Sequence, residues 1–182
     1  GFTVIVPADA TEATQVVKVA AQTYGPFYIR LGRPKTPLVY ASDYKFVLGK
    51  AVTLREGKDV TIIATGIMVA HALGAAQNLA LDGIHCRVLS MPTVKPLDRD
   101  SIVKAATETG AIITVEEHLL RSGLGSAVAQ IVAEKRPVPM SFIALNDIYA
   151  KSGKPEELLK RYHLTAADIE SAVRSLVVKK RA

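Results

Sequence analysis

Two rhythms of apolar and polar positions run along the chain. Thr3–Val6 is a short β-branched run and predicts a strand. Asp9 and Glu12 follow at the three-residue spacing of a capping box. Ala13, Val16, Val17 and Ala20 then recur at helical intervals, so the helix should run to about Gln22. Gly25-Pro26 breaks it, and Phe27–Leu31 reads as a second strand. This strand–helix–strand unit, residues 1–33, is too short to bury a core by itself.

Residues 34–49 carry prolines and little periodicity, and are expected to be a linker. From residue 50 onward the pattern becomes regular. Ala51–Leu54 fits an edge strand, followed by a turn at Glu56-Gly57. Strands are predicted at Val60–Thr65, His85–Met91, Ala111–Glu116 and Met140–Leu145. Between them lie a helix with Val69, Leu73, Ala76 and Ala80 on one face, a helix over Asp100–Thr109 and another over Ser126–Lys135. Pro155 suits the first position of a short helix, and Glu156 and Glu157 complement its positive end. Thr165 should cap a last helix that buries Ile169, Ala172, Val173 and Leu176. Alternating strands and helices imply an α/β fold. The expected form is a three-layer α/β/α domain over residues 50–182 with a mostly parallel sheet.

Of 182 residues, 49% are hydrophobic and 22% charged, which fits a globular protein with a real core. No apolar run is long enough to cross a bilayer, so no membrane role is expected. Cys86 is the only cysteine, which suits a reducing, cytoplasmic setting. The net charge of +6 sits partly in the tail, at Lys179, Lys180 and Arg181; a solvated surface is the plainer reading, and attraction of anions such as sugar phosphates the functional one. Aromatics are only 5% and do not interleave with basic residues, which argues against nucleic acid. The chain opens on Gly1 and its first methionine is Met68, so it reads as part of a longer or processed protein.

Gly123-Leu124-Gly125-Ser126 could present backbone N–H groups to a phosphate. Position 128 is Val, however, and this is not the first strand–helix turn, so an unliganded tight turn is the plainer reading. Glu116, Glu117 and His118 could serve acid–base chemistry. Neighbours in a strand face opposite ways, which favours a structural or interface role. The four histidines lack metal-ligand spacing, and Cys86 reads as a small buried residue. Arg30 and Arg33 flank Gly32 beyond a strand, where ligands of open α/β sheets tend to bind. An arginine fork fits phosphate, although an ion-paired surface role suits at least one of the two.

Several stretches together resemble transketolases. They are T-V-I-V-P-A-D-A (3–10), G-P-F-Y-I-R-L-G-R-P (25–34), V-T-I-I-A-T-G (60–66), R-V-L-S-M-P-T-V-K-P-L-D (87–98), I-I-T-V-E-E-H (112–118), G-L-G-S-A-V (123–128) and S-G-K-P-E-E-L-L (152–159). The resemblance implies the end of a pyrimidine-binding domain over 1–33, then a complete C-terminal domain over 50–182. It implies transfer of a two-carbon ketol unit between sugar phosphates in the pentose phosphate pathway. Thiamine diphosphate and a divalent cation, Mg or Ca, would serve the complete enzyme. No catalytic, cofactor-binding or metal-binding residue of the family falls in this chain, so the piece alone should bind no cofactor and be inactive. One position does carry over: Arg33 would contact substrate phosphate. The resemblance also implies a homodimer, and an N-terminal section in cis or as a separate subunit. Alternatives are deoxyxylulose-phosphate synthase, a 2-oxo acid dehydrogenase beta subunit, and a non-catalytic dimerisation module. The stretch from Arg33 to Tyr40 and the S-G-K-P-E-E-L-L ending favour transketolase over the two enzymes.

Overall fold

The computed structural model describes residues 1–33 and 35–181, without the Arg181 side chain. Pro34, which opens the expected linker, and the last cation of the basic tail therefore lie outside the described residues. So does Ala182.

The chain opens with β1 (Thr3–Ile5), α1 (Ala10–Gln22) and β2 (Phe27–Ile29). It continues with β3 (Val52–Arg55), β4 (Val60–Ala64), α2 (Met68–Leu81), β5 (Cys86–Ser90), β6 (Thr93–Lys95) and α3 (Arg99–Thr109). It closes with β7 (Ile112–Leu119), α4 (Leu124–Lys135), β8 (Met140–Leu145), α5 (Pro155–Arg161) and α6 (Ala166–Arg181).

The larger sheet has the order β3-β5-β4-β7-β8. All its neighbours run parallel except β3, which pairs antiparallel with β5 at one edge. All five residues of β4 are buried, because helices cover both faces of this central strand. Its side chains alternate accordingly. Val60, Ile62 and Ala64 join a core with α2 and α6, whereas Ile63 joins the opposite core with α3 and α4. The expected three-layer α/β/α domain with a mostly parallel sheet is thus observed.

The stripe expected on α2 is displaced. Met68, Val69, Ala72, Ala75, Ala76 and Leu79 are buried, while Leu73 and Ala80 are only half-buried. The helix packs against both the sheet and α6, so apolar residues ring more than one face and blur the period. The stripe on α6 is as expected at Ile169, Val173 and Leu176, with Ala172 half-buried beside them.

A strand not expected from sequence completes a second, small sheet of order β2-β1-β6. β1 pairs parallel with β2 (Val4 opposite Tyr28) and antiparallel with β6 (Val4 opposite Lys95). Beneath it Ile5 and Val16 pack with Phe46, which comes from the irregular segment before β3. The first strand–helix–strand unit thus finds its missing core partners further along the chain.

The small sheet docks at the carboxyl ends of the large one. Val6 N donates to Pro92 O at 2.8 Å, and Gly66 N donates to Val6 O at 3.2 Å. Gly66 sits just after β4 with φ +59, and a Cβ there would lie 2.8 Å from Val6 Cγ1. Both the turn and the close approach therefore require glycine.

Candidate functional site

Beyond β2 the chain runs Arg30-Leu31-Gly32-Arg33 across the carboxyl ends of both sheets. Arg30 N still donates to Ile5 O at 2.9 Å, so the backbone is held up to that residue. Arg30, Gly32 and Arg33 then line a cavity of about 300 Å³, together with Glu117 from the end of β7. The other wall is apolar, and includes Leu158 of α5 and Tyr162 just after it. A neighbouring hollow of about 370 Å³ shares Leu31 and Gly32 and is bordered by Lys35 and Thr36.

The two arginines differ in setting. Arg30 Nη2 meets Glu117 Oε2 at 3.3 Å, with both side chains a little over one-third exposed. The Arg33 residue is exposed at the cavity rim. The arrangement offers a guanidinium to an anion arriving from solvent, above an apolar wall that would exclude water behind it.

The glycine-rich segment has another occupant. Glu116 is 2% exposed, and its carboxylate accepts from Leu124 N and Gly125 N at 2.7 Å each. It fills the anion seat at the start of α4, the position a phosphate would need. The helix begins at Leu124 rather than at Ser126, because these N–H groups are capped from the strand. The glycines are required by that clasp. A Cβ at Gly123 would lie 2.2 Å from Glu116 Oε2, and one at Gly125 would lie 2.7 Å from Thr114 Oγ1. Burial pushes the Glu116 carboxyl above its ordinary range, against the pull of the two N–H donors.

Glu116, Glu117 and His118 do not converge. Glu116 turns inward to α4, Glu117 faces the cavity, and His118 is exposed with Nδ1 3.3 Å from Leu119 O. Cys86 is buried, and burial pushes its thiol up to about 12, so it is no nucleophile. Among the described residues no three His, Cys, Asp or Glu side chains group as a metal site. With Glu116 in the helix seat and no such group, the residues described do not fit a metal–diphosphate site.

A buried polar network near the site was only half legible. Asp9 Oδ1 accepts from Glu12 N at 2.8 Å, as the capping box requires. Glu12 reaches back to Ala8 N at 2.8 Å, one residue before the box position. Its other oxygen accepts from Tyr44 Oη at 2.9 Å, and Asp9 Oδ2 accepts from Val39 N and Tyr40 N. Tyr40 and Tyr44 stack at 3.9 Å. Glu12 is fully buried, and burial raises its carboxyl above the ordinary value. The network ties residues 39–44 to α1. Only long-range partners reveal it, and spacing along the chain cannot.

A family model described as "Transketolase, C-terminal domain" matches residues 49–169. The chain belongs to the transketolase family. Its similarity to 6-deoxy-6-sulfo-D-fructose transketolase subunit SqwH of Clostridium sp. (strain MSTE9) is 40% identity, over 99% of this chain and 56% of that protein. An apulose-4-phosphate transketolase subunit from Phocaeicola vulgatus is 44% identical over 90% of this chain and 53% of its own length. Transketolase of Homo sapiens is 38% identical over 97% of this chain and 29% of its own length. A solved structure titled split gene transketolase, inactive beta4 tetramer, superposes with a TM-score of 0.95 at 46% identity. It covers 99% of this chain and 59% of that one. The chain thus spans about half the length of the transketolase subunits it matches and under a third of the human enzyme. The resemblance read from the motifs is confirmed. No helix among the described residues is long and apolar enough to cross a membrane.

Proposed function

We propose that these residues are the C-terminal part of a thiamine-diphosphate-dependent transketolase that moves a two-carbon ketol unit between sugar phosphates. The division proposed is the end of the pyrimidine domain at 1–33, a linker at 34–49 and the C-terminal domain at 50–182. Cofactor and cation chemistry belongs to a section outside this chain, in cis or as a separate subunit. The part of this chain in the reaction is binding: Arg33 holds the substrate phosphate, and the complete enzyme is a homodimer in the cytoplasm.

The observation that carries this reading is Arg33 at the rim of the cavity, beyond a strand end and beside Gly32. A guanidinium–phosphate contact contributes roughly 1.5–3 kcal/mol. Arg33→Ala in the completed enzyme should therefore raise KM for a sugar phosphate roughly ten- to a hundredfold, at about 1.4 kcal/mol per tenfold. Turnover should fall less, and a donor without phosphate should be spared. Equal damage with both donors would make Arg33 a residue of the fold, and the phosphate role would be lost.

A second reading concerns the chain by itself. The 46%-identical solved relative is described as an inactive tetramer of one subunit. This chain without its N-terminal section should likewise self-associate without activity.

A further inference from the structure

We propose that Glu117 is a positioning residue for substrate anion binding, acting through Arg30 on Arg33. The inference rests on the phosphate role proposed for Arg33.

Arg30 stands three residues before Arg33, so the two Cα atoms are separated by at most about 10 Å of extended chain. Among the described residues, Arg30 N donates to Ile5 O at 2.9 Å, which ties the end of β2 to the small sheet. Arg30 Nη2 meets Glu117 Oε2 at 3.3 Å, which ties this segment to the large domain. All four residues, Arg30, Gly32, Arg33 and Glu117, face one cavity.

The Glu117 end of the bridge is itself fixed. The register between β7 and β8 shifts between Val115 and Leu119. Within that stretch Glu116 is clamped to the start of α4 by two bonds of 2.7 Å. Successive strand residues face opposite ways, so clamping Glu116 inward turns Glu117 toward the cavity. The large domain thus sets the place of an arginine that belongs to the small sheet. The carboxylate also neutralises Arg30, leaving Arg33 as the cation offered to an incoming phosphate.

The test uses the complete enzyme, formed with the section that carries the cofactor site. It compares Glu117→Gln, and the exchanged pair Arg30→Glu with Glu117→Arg, on a phosphorylated donor and on one without phosphate. A half-exposed pair is a modest interaction, so Glu117→Gln should raise KM for the phosphorylated donor roughly two- to fivefold. kcat and the KM of the other donor should stay unchanged. The exchanged pair should restore most of the loss, because the bridge is rebuilt with its ends reversed. Circular dichroism and urea midpoints confirm that each variant is folded. Three results would overturn the inference: no change in KM, an equal change for both donors, or an exchanged pair worse than Glu117→Gln. The last would make Arg30 a direct contact to the anion. If Arg33→Ala itself spares the phosphorylated donor, the underlying phosphate reading fails first. If Arg33→Ala is selective and Glu117→Gln is not, only the positioning role fails.

Discussion

Replacing Glu116 by alanine puts the clasp at the start of α4 to a quantitative test. The carboxylate is 2% exposed and takes two N–H groups at 2.7 Å. Removing it leaves both donors without a partner in a place that water reaches poorly. Each orphaned donor costs about 1–3 kcal/mol. The truncated side chain leaves room for some relaxation, which lowers the sum, and the large desolvation cost of the carboxylate is relieved. The net expectation is a loss of about 2–4 kcal/mol, a large share of the roughly 5–15 kcal/mol available to a domain. Urea unfolding monitored by circular dichroism reads this directly as a lower midpoint at unchanged slope. Gly123→Ala supplies the second arm. Its Cβ would meet Glu116 Oε2 at 2.2 Å and Leu119 O at 2.7 Å. With Glu116 gone, the first clash disappears and the second remains. The double variant should therefore be less damaging than the two losses added, by roughly 1 kcal/mol or more. A loss under about 0.5 kcal/mol for Glu116→Ala, or strict additivity in the cycle, would refute the clasp.

Glu12 should give stability a pH dependence of definite sign. Its carboxyl is raised by burial from 4.5, so the folded state holds the proton more firmly than the unfolded one. Its contribution is fully present below about 4.5 and is lost as pH rises through the folded value. Urea midpoints should show wild type losing ground to Glu12→Gln as pH rises over that window; the opposite slope would be decisive against it. Cys86 should label with a thiol reagent only as fast as the protein unfolds, because it is buried with its thiol pushed up to about 12. Rapid labelling of the native chain would contradict that placement. Hydrogen exchange should protect β4 and β7, which pair on both sides, more than the three-residue edge strand β2. Comparable protection of Tyr28 and Ile62 amides would count against the ranking. Static light scattering of the chain alone should give a mass above one subunit, and a monomer at high concentration would remove self-association by these residues.

The alternating strands and helices were legible because each carries its own period. The Asp9–Glu12 pair and Pro155 announced helix starts, and both helices begin there. β6 was not legible: it is three residues long, lies between Pro92 and Pro96, and depends on a partner near the start of the chain. The stripe on α2 was misplaced because a helix buried on two sides loses its single-face rhythm. Arg33 and Arg30 could be picked out as candidates from type and position. Which one is ion-paired could not, since Glu117 lies 87 residues from Arg30. The glycine-rich turn showed its shape in sequence but not its occupant, because Glu116 reaches it from the preceding strand.

The small sheet has a consequence for the order of folding. β1 and β2 lie close in sequence, but β6 joins β1 from roughly ninety residues away, after α1, β2, β3, β4, α2 and β5 have intervened. Closing so long a loop is entropically unfavourable until the intervening elements have condensed. The large sheet should therefore form first and present Thr93–Lys95 as a ready edge. Only then can the amino-terminal strand find its antiparallel partner, and Arg33 reach the cavity rim. The rim that carries Arg33 should thus be the last part of the molecule to assemble during refolding.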